Sequence, residues 1–190
     1  MDLGLKNKVI MVAAASKGLG YGIARALAEE GAHVSIASRT LLDIEAAAES
    51  LRNETGSEVM GAAFDATDPS SILNWTKTTR DRFGGIDGLV VNAGGPSVGS
   101  FDDFKDDDWI HAFELTLLSS VRMIRAVLPH MRERGKGAIL TMTSSSVKEP
   151  IHHKRKYWEF SCYPLRYQSR KSKKTRPVEH YYRRNRPARL

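Results

Sequence analysis

Short apolar runs alternate with longer amphipathic stretches over residues 1–143, and this alternation constrains the fold more than any other feature. Lys8 to Ala14 reads as a buried strand, and Gly20 to Glu30 as a helix with Ile23, Ala24, Leu27 and Ala28 on one face. Gly31 ends that helix, as a glycine just past a helix does when it takes the left-handed conformation. His33 to Ser38 is a second strand, Leu42 to Glu54 an alanine-rich helix closed by Thr55-Gly56, and Glu58 to Phe64 a third strand. Asp68-Pro69 opens a helix running to Phe83, with proline in its favoured first-turn position. Gly84-Gly85 precedes a fourth strand, Ile86 to Val91. Asp106 to Arg132 reads as one long helix, with Trp109, Phe113, Thr116, Leu117, Ser120, Val121, Ile124, Leu128 and Met131 along a stripe. Gly137 to Thr143 is a fifth strand.

Such a series predicts parallel βαβ units in an α/β, doubly wound (Rossmann-like) sheet. Apolar strands without in-out alternation fit a sheet covered on both faces. A ligand then belongs beyond the carboxyl ends of the strands, where the winding reverses.

The expected organisation is a Rossmann-like domain over residues 1–150 and a basic, atypical tail over 151–190. The first part carries 16 Lys/Arg against 20 Asp/Glu, the second 13 against 2, so the net charge of +7 belongs to the last fifth of the chain. With Cys162 the one cysteine, no internal disulfide or cysteine-rich zinc cluster can form. The first residues lack a charged-then-apolar leader pattern, and no apolar run approaches the roughly 20 residues that span a bilayer. A cytoplasmic protein without membrane contact is the expectation.

The turn after the first strand reads Ala13-Ala14-Ala15-Ser16-Lys17-Gly18-Leu19-Gly20. Glycines there let the backbone approach a pyrophosphate, and the helix N-terminus offers free N–H groups and the positive end of its dipole. This loop, with Asn92-Ala93-Gly94 after the fourth strand and Asp65 after the third, resembles the short-chain dehydrogenase/reductase family, whose signatures are Thr-Gly-x-x-x-Gly-x-Gly and Asn-Asn-Ala-Gly. The resemblance covers about residues 5–148. It implies that Ala14, Ser16, Lys17, Gly18, Leu19 and Gly20 seat the pyrophosphate side of a dinucleotide, that Asp65 meets the adenine, and that Asn92, Ala93 and Gly94 form the inner loop. Ala14 replaces the family's first glycine and Ala13 its threonine. If position 14 needs a positive φ, alanine costs about 1 kcal/mol.

Sites that bind NAD usually place a carboxylate after the second strand, to hold the ribose 2′-hydroxyl. Here the segment is Ser38-Arg39-Thr40, and Lys17 adds a second cation. A 2′-phosphate suits both, Arg39 as a planar fork and Lys17 as a point charge, so NADP (NADPH) is expected in preference to NAD.

The resemblance further implies hydride transfer between the nicotinamide and a carbonyl or alcohol carbon of a small molecule. Ser144 best matches the family serine that orients the oxygen, with Ser145 as the alternative. Tyr157, 13 residues later, suits the spacing of the proton-donating tyrosine, although Ser161 rather than lysine stands four residues beyond it. The family's helix asparagine falls at Thr116. By the same resemblance the stripe of the long helix suggests a helix-paired dimer, a homo-oligomer whose usual partner helix is missing from this sequence. Gly95 to Gly99 is the readable substrate-side loop.

The pattern stops near Pro150. Loss of periodicity with a jump from net −4 to net +11 has the marks of a change of reading frame, which would leave the sheet incomplete after its fifth strand and part of that strand's apolar face uncovered. A basic, aromatic tail that binds nucleic acid through Lys171, Lys173, Lys174, Arg183, Arg184 and Arg186 is the rival reading, with the nucleotide fold as a non-catalytic scaffold. A solvated extension is the third. His152 and His153 lack nearby carboxylate or thiolate partners, so no metal site is expected.

Overall fold

The computed structural model describes residues 2–95, 97 and 101–144. In order these form β1 (Val9–Ala13), α1 (Gly18–Glu29), β2 (His33–Ser38), α2 (Leu41–Thr55), β3 (Val59–Ala63), α3 (Pro69–Phe83), β4 (Gly88–Val91), α4 (Asp106–Phe113), α5 (Ser119–Glu133) and β5 (Ala138–Thr141). The strands pair in parallel in the order β3-β2-β1-β4-β5. Successive strands step outward from β1 to β3, then the chain returns to the other side of β1. The reversal therefore lies between β1 and β4, and the carboxyl ends of those two strands frame the crevice where a ligand belongs.

Alternate residues of each strand feed separate cores. Ile10, Val12, Val34 and Ile36 pack with Ala24, Ala28, Ile44 and Leu51 of α1 and α2. Met11, Leu89, Val91 and Ile139 pack with Ile72, Trp75, Met123, Val127 and Met131 of α3 and α5. Both faces of the central strands are covered, which explains their unbroken apolar character. One buried polar cluster joins β2 to α3: Trp75 Nε1 donates to Ser35 Oγ at 2.8 Å, and Thr79 Oγ1 donates to Trp75 O at 2.9 Å. The hydroxyls of Ser35 and Thr79 lie 2.7 Å apart, and since the Thr79 proton is engaged, Ser35 is the donor between them.

The turns follow local chemistry. Asp68 caps α3 by accepting from Ser70 N at 2.8 Å, and Pro69 occupies its first turn. Gly56 and Gly84 close α2 and α3 in the left-handed conformation, with φ of 70° and 77°.

The long helix expected over Asp106 to Arg132 departs from prediction. A π turn at Glu114–Leu118 divides it into α4 and α5. The hydroxyls of Thr116, Ser119 and Ser120 each donate to the carbonyl four residues back, competing with the regular amide ladder at this point. The inward stripe also differs. Ala112, Ser119, Met123, Val127 and Met131 are buried, whereas Phe113 is exposed. Of the expected stripe, Met131 is buried and Ile124 and Leu128 pack against the core, so the two readings share that part of the helix.

At the sheet edge formed by β5, Ile139 is buried against α5 while Leu140, on the opposite face, is 54% exposed. Among the described residues the sheet has five strands. Among the described residues no helix is long and apolar enough to cross a membrane.

Candidate functional site

The turn between β1 and α1 is the first wall of the crevice. Ala14 takes φ of 51° and Gly18 φ of 64°. Position 14 thus does require the left-handed conformation, and alanine holds it against the steric cost foreseen from the sequence. A side chain at Gly20 would collide with Ala14 O and stand 2.8 Å from Asn92 Nδ2 and 2.9 Å from Ala15 Cα. Glycine here is a packing requirement: it brings α1 against the turn. Lys17 precedes α1 without capping it by a side-chain hydrogen bond, so the helix N-terminus keeps amide donors for a ligand.

Asn92 joins the two strands at the reversal. Its Nδ2 donates to Ala13 O and Ala14 O, both at 3.2 Å, tying the end of β4 to the end of β1. The chain beyond β5 runs alongside, with Met142 N donating to Val91 O at 2.9 Å. Ser144 follows two residues later and is half-buried at this same carboxyl edge.

Between these walls lies a cleft of about 520 Å³. Of the residues singled out from the sequence, Ala14, Ser16, Lys17, Ser38, Arg39, Asp65, Asn92, Ala93 and Gly94 line it, while Gly18, Leu19 and Gly20 form the adjoining first turn of α1. Gly94 faces open space, with nothing within 4 Å of where a side chain would start. Among the described residues neither Lys17 nor Arg39 makes an ion pair.

Asp65 is oriented by its neighbour. Its Oδ1 accepts from Thr67 N at 2.8 Å and from Thr67 Oγ1 at 2.7 Å. Those two bonds hold its carboxyl below the usual aspartate range, with smaller help from the charges of Arg39 and His111. Asp65 is therefore a fixed carboxylate at neutral pH.

Several wall residues escaped the sequence reading: Thr40, Asp43, Phe64, Thr67, His111 and Leu115. Asp43 matters most. No acid directly follows β2, but the first turn of α2 brings Asp43 to the cleft beside Lys17 and Arg39. The spacing Thr40-x-x-Asp43 has the form of a helix capping box, yet Thr40 makes no side-chain cap bond. Thr116, at the place of the family asparagine, gives its hydroxyl proton to Ala112 O at 2.6 Å and so has only its lone pairs to offer a water. Ser145, Tyr157, the histidine pair His152-His153 and the basic tail lie outside the described residues, as do Pro96 and Val98 to Gly99 of the substrate-side loop.

Against known proteins, the profile described as short chain dehydrogenase matches residues 8–158. The chain belongs to the short-chain dehydrogenase family. The matched stretch extends beyond Lys148 and includes Tyr157. Human dehydrogenase/reductase SDR family member 4 is 33% identical over 147 residues, which are 77% of this chain and 52% of that protein. L-sorbose reductase from Gluconobacter frateurii, solved with NADPH and L-sorbose, superposes with a TM-score of 0.82 at 33% identity over 85% of this chain and 62% of that one. A 7α-hydroxysteroid dehydrogenase solved with NADH and 7-oxo-glycochenodeoxycholic acid superposes with a TM-score of 0.78 at 25% identity, over 83% and 61%. The chain spans about half the length of the curated relatives it matches.

Proposed function

We propose that this chain carries the cofactor-binding part of an NADP-linked oxidoreductase that interconverts a small-molecule carbonyl and its alcohol. The observation that carries the reading is the cleft at the β1–β4 reversal, where Lys17 and Arg39 stand on one wall and the oriented Asp65 on another. The donor set fits a dinucleotide. The uncapped start of α1 meets a pyrophosphate, and Asp65 accepts from an adenine amino group. Gly94 leaves room for the inner loop to lie against a ligand.

Lys17 and Arg39 favour a 2′-phosphate, and Asp43 opposes it from the same wall. Arg39 outweighs a single carboxylate because its guanidinium meets a phosphate with two parallel bonds. That the solved relatives include one with NADPH and one with NADH makes this balance the decisive variable.

Bound in the cleft, a nicotinamide cofactor supplies the hydride. The chain's own part is to hold the substrate oxygen through the Ser144 hydroxyl and to pass it a proton from the Tyr157 phenol. No lysine follows Tyr157 at the family spacing to lower its pKa, so turnover is expected to be slow, and the reverse oxidation of the alcohol, which needs the phenolate, to rise with pH. The protein belongs in the cytoplasm on this reading, where NADPH is available. Oxidation of NADPH with a panel of ketones, aldehydes and sugars tests the proposal. A carbonyl-dependent rate that falls in S144A supports it, and no carbonyl-dependent oxidation in the full chain refutes it.

A further inference from the structure

Asp65 sits on the loop after β3, and a residue of another element holds that loop in place. Arg122, in the first turns of α5 with its side chain only 21% exposed, donates from NH1 to Thr67 O at 2.8 Å. Its NH2 lies 3.8 Å from Glu114 Oε1, the first residue of the π turn. Thr67 in turn gives both its amide and its hydroxyl to Asp65 Oδ1. The contacts form one line: π turn, Arg122, Thr67, Asp65, cleft.

We infer that Arg122 is a positioning residue for the adenine end of the cleft, setting the Asp65 carboxylate through Thr67 from its anchor on Glu114. This rests on the cofactor reading above. The geometry calls for arginine. Its planar guanidinium hydrogen-bonds Thr67 O from one nitrogen while the other stands 3.8 Å from Glu114 as a charge contact, a division that a single ammonium centre does not offer. The helix interruption also has a place in the device. His111 and Leu115, one on either side of Glu114, line the same cleft, so the π turn sets the wall and the arginine anchor together. Interruptions of this kind are frequent at functional sites. A merely structural tie between α5 and the loop would make the same hydrogen bond but would not couple to ligand binding through Asp65.

The test uses the full chain, with adenosine 2′,5′-bisphosphate as ligand and calorimetry as readout. R122Q is expected to weaken binding about tenfold, the range for a lost hydrogen bond to a charged group. D65N/R122Q is expected to bind no more weakly than the worse single variant, because both act through one carboxylate. By contrast, R39Q/R122Q losses should multiply. E114Q keeps the bond to Thr67 and removes only the anchor, so it supplies a milder variant if R122Q folds poorly. The Asp65 carboxylate, followed by NMR, should titrate at higher pH in R122Q or E114Q than in the wild type. Unchanged affinity and unchanged Asp65 titration in both variants overturn the inference, as do multiplicative losses in D65N/R122Q. If the wild type binds no bisphosphate, the cofactor reading fails, and the Asp65 titration alone decides the role of Arg122.

Discussion

Replacing Gly20 with alanine puts a methyl group where three atoms already stand. The added carbon would collide with Ala14 O and sit 2.8 Å from Asn92 Nδ2 and 2.9 Å from Ala15 Cα. Two of the three belong to the backbone of the turn after β1, which Ala15 N fixes to Ala37 O at 3.1 Å. The turn has little freedom to yield, so α1 must lift or Asn92 must leave its two carbonyls. Overpacking of this kind costs about 1–3 kcal/mol, and loss of the Asn92 bonds adds about 1 kcal/mol. Alanine's better helix propensity returns about 0.5–1 kcal/mol. The net expectation is a loss of about 2 kcal/mol, or a drop in Tm of about 4–8 °C for a chain of this size. Gly22 is the control: it lies inside the same helix with nothing within 4 Å of its missing side chain. G22A should gain about 0.5–1 kcal/mol. Thermal and urea unfolding of the full chain read both. A G20A protein as stable as the wild type, or a G22A protein that falls with it, would refute the close approach of α1 to the turn.

Three further outcomes follow from named contacts. A14G relieves a left-handed alanine worth about 1–2 kcal/mol, partly offset by the greater freedom of glycine in the unfolded chain, so the urea midpoint should rise by up to about 1 kcal/mol equivalent with unchanged slope. S35A strands the buried Trp75 N–H and should cost about 2 kcal/mol, with the S35A/W75F pair costing less than the sum of its parts; full additivity would deny the bond. Asp65 has a depressed folded pKa, so its contribution to stability is complete above the ordinary aspartate value and fades as pH falls through the folded one. The stability difference between wild type and D65N should therefore close below about pH 4 and be constant above about pH 6.

Much of this molecule is legible because each element carries its own punctuation. Gly31, Gly56 and Gly84 sit where the chain takes positive φ after a helix, and Asp68-Pro69 announces a helix start from local chemistry alone. Sheet order was legible only as a class, since crossovers of this kind leave few alternatives. The long helix shows where local reading fails. Phe113 and Leu117 catch the eye by size, yet Ala112 and Ser119 are the residues that are buried, and volume complementarity is a property of two surfaces rather than one sequence. The π turn was invisible because its hydroxyl donors look like ordinary helix residues until their partners are seen. At the site, residues adjacent to the glycine turn and the strand ends could be read directly. Asp43, Thr67 and His111 could not, because they come from three other elements and share a wall only after the sheet has formed.

A cleft that prefers a 2′-phosphorylated nucleotide should distinguish adenosine 2′,5′-bisphosphate from adenosine 5′-monophosphate in calorimetric titration of the full chain. The bisphosphate should bind at least about tenfold more tightly at low salt, and R39Q and K17Q should each shrink the gap. Equal affinity for the two nucleotides, or a gap that survives loss of both cations, would contradict it.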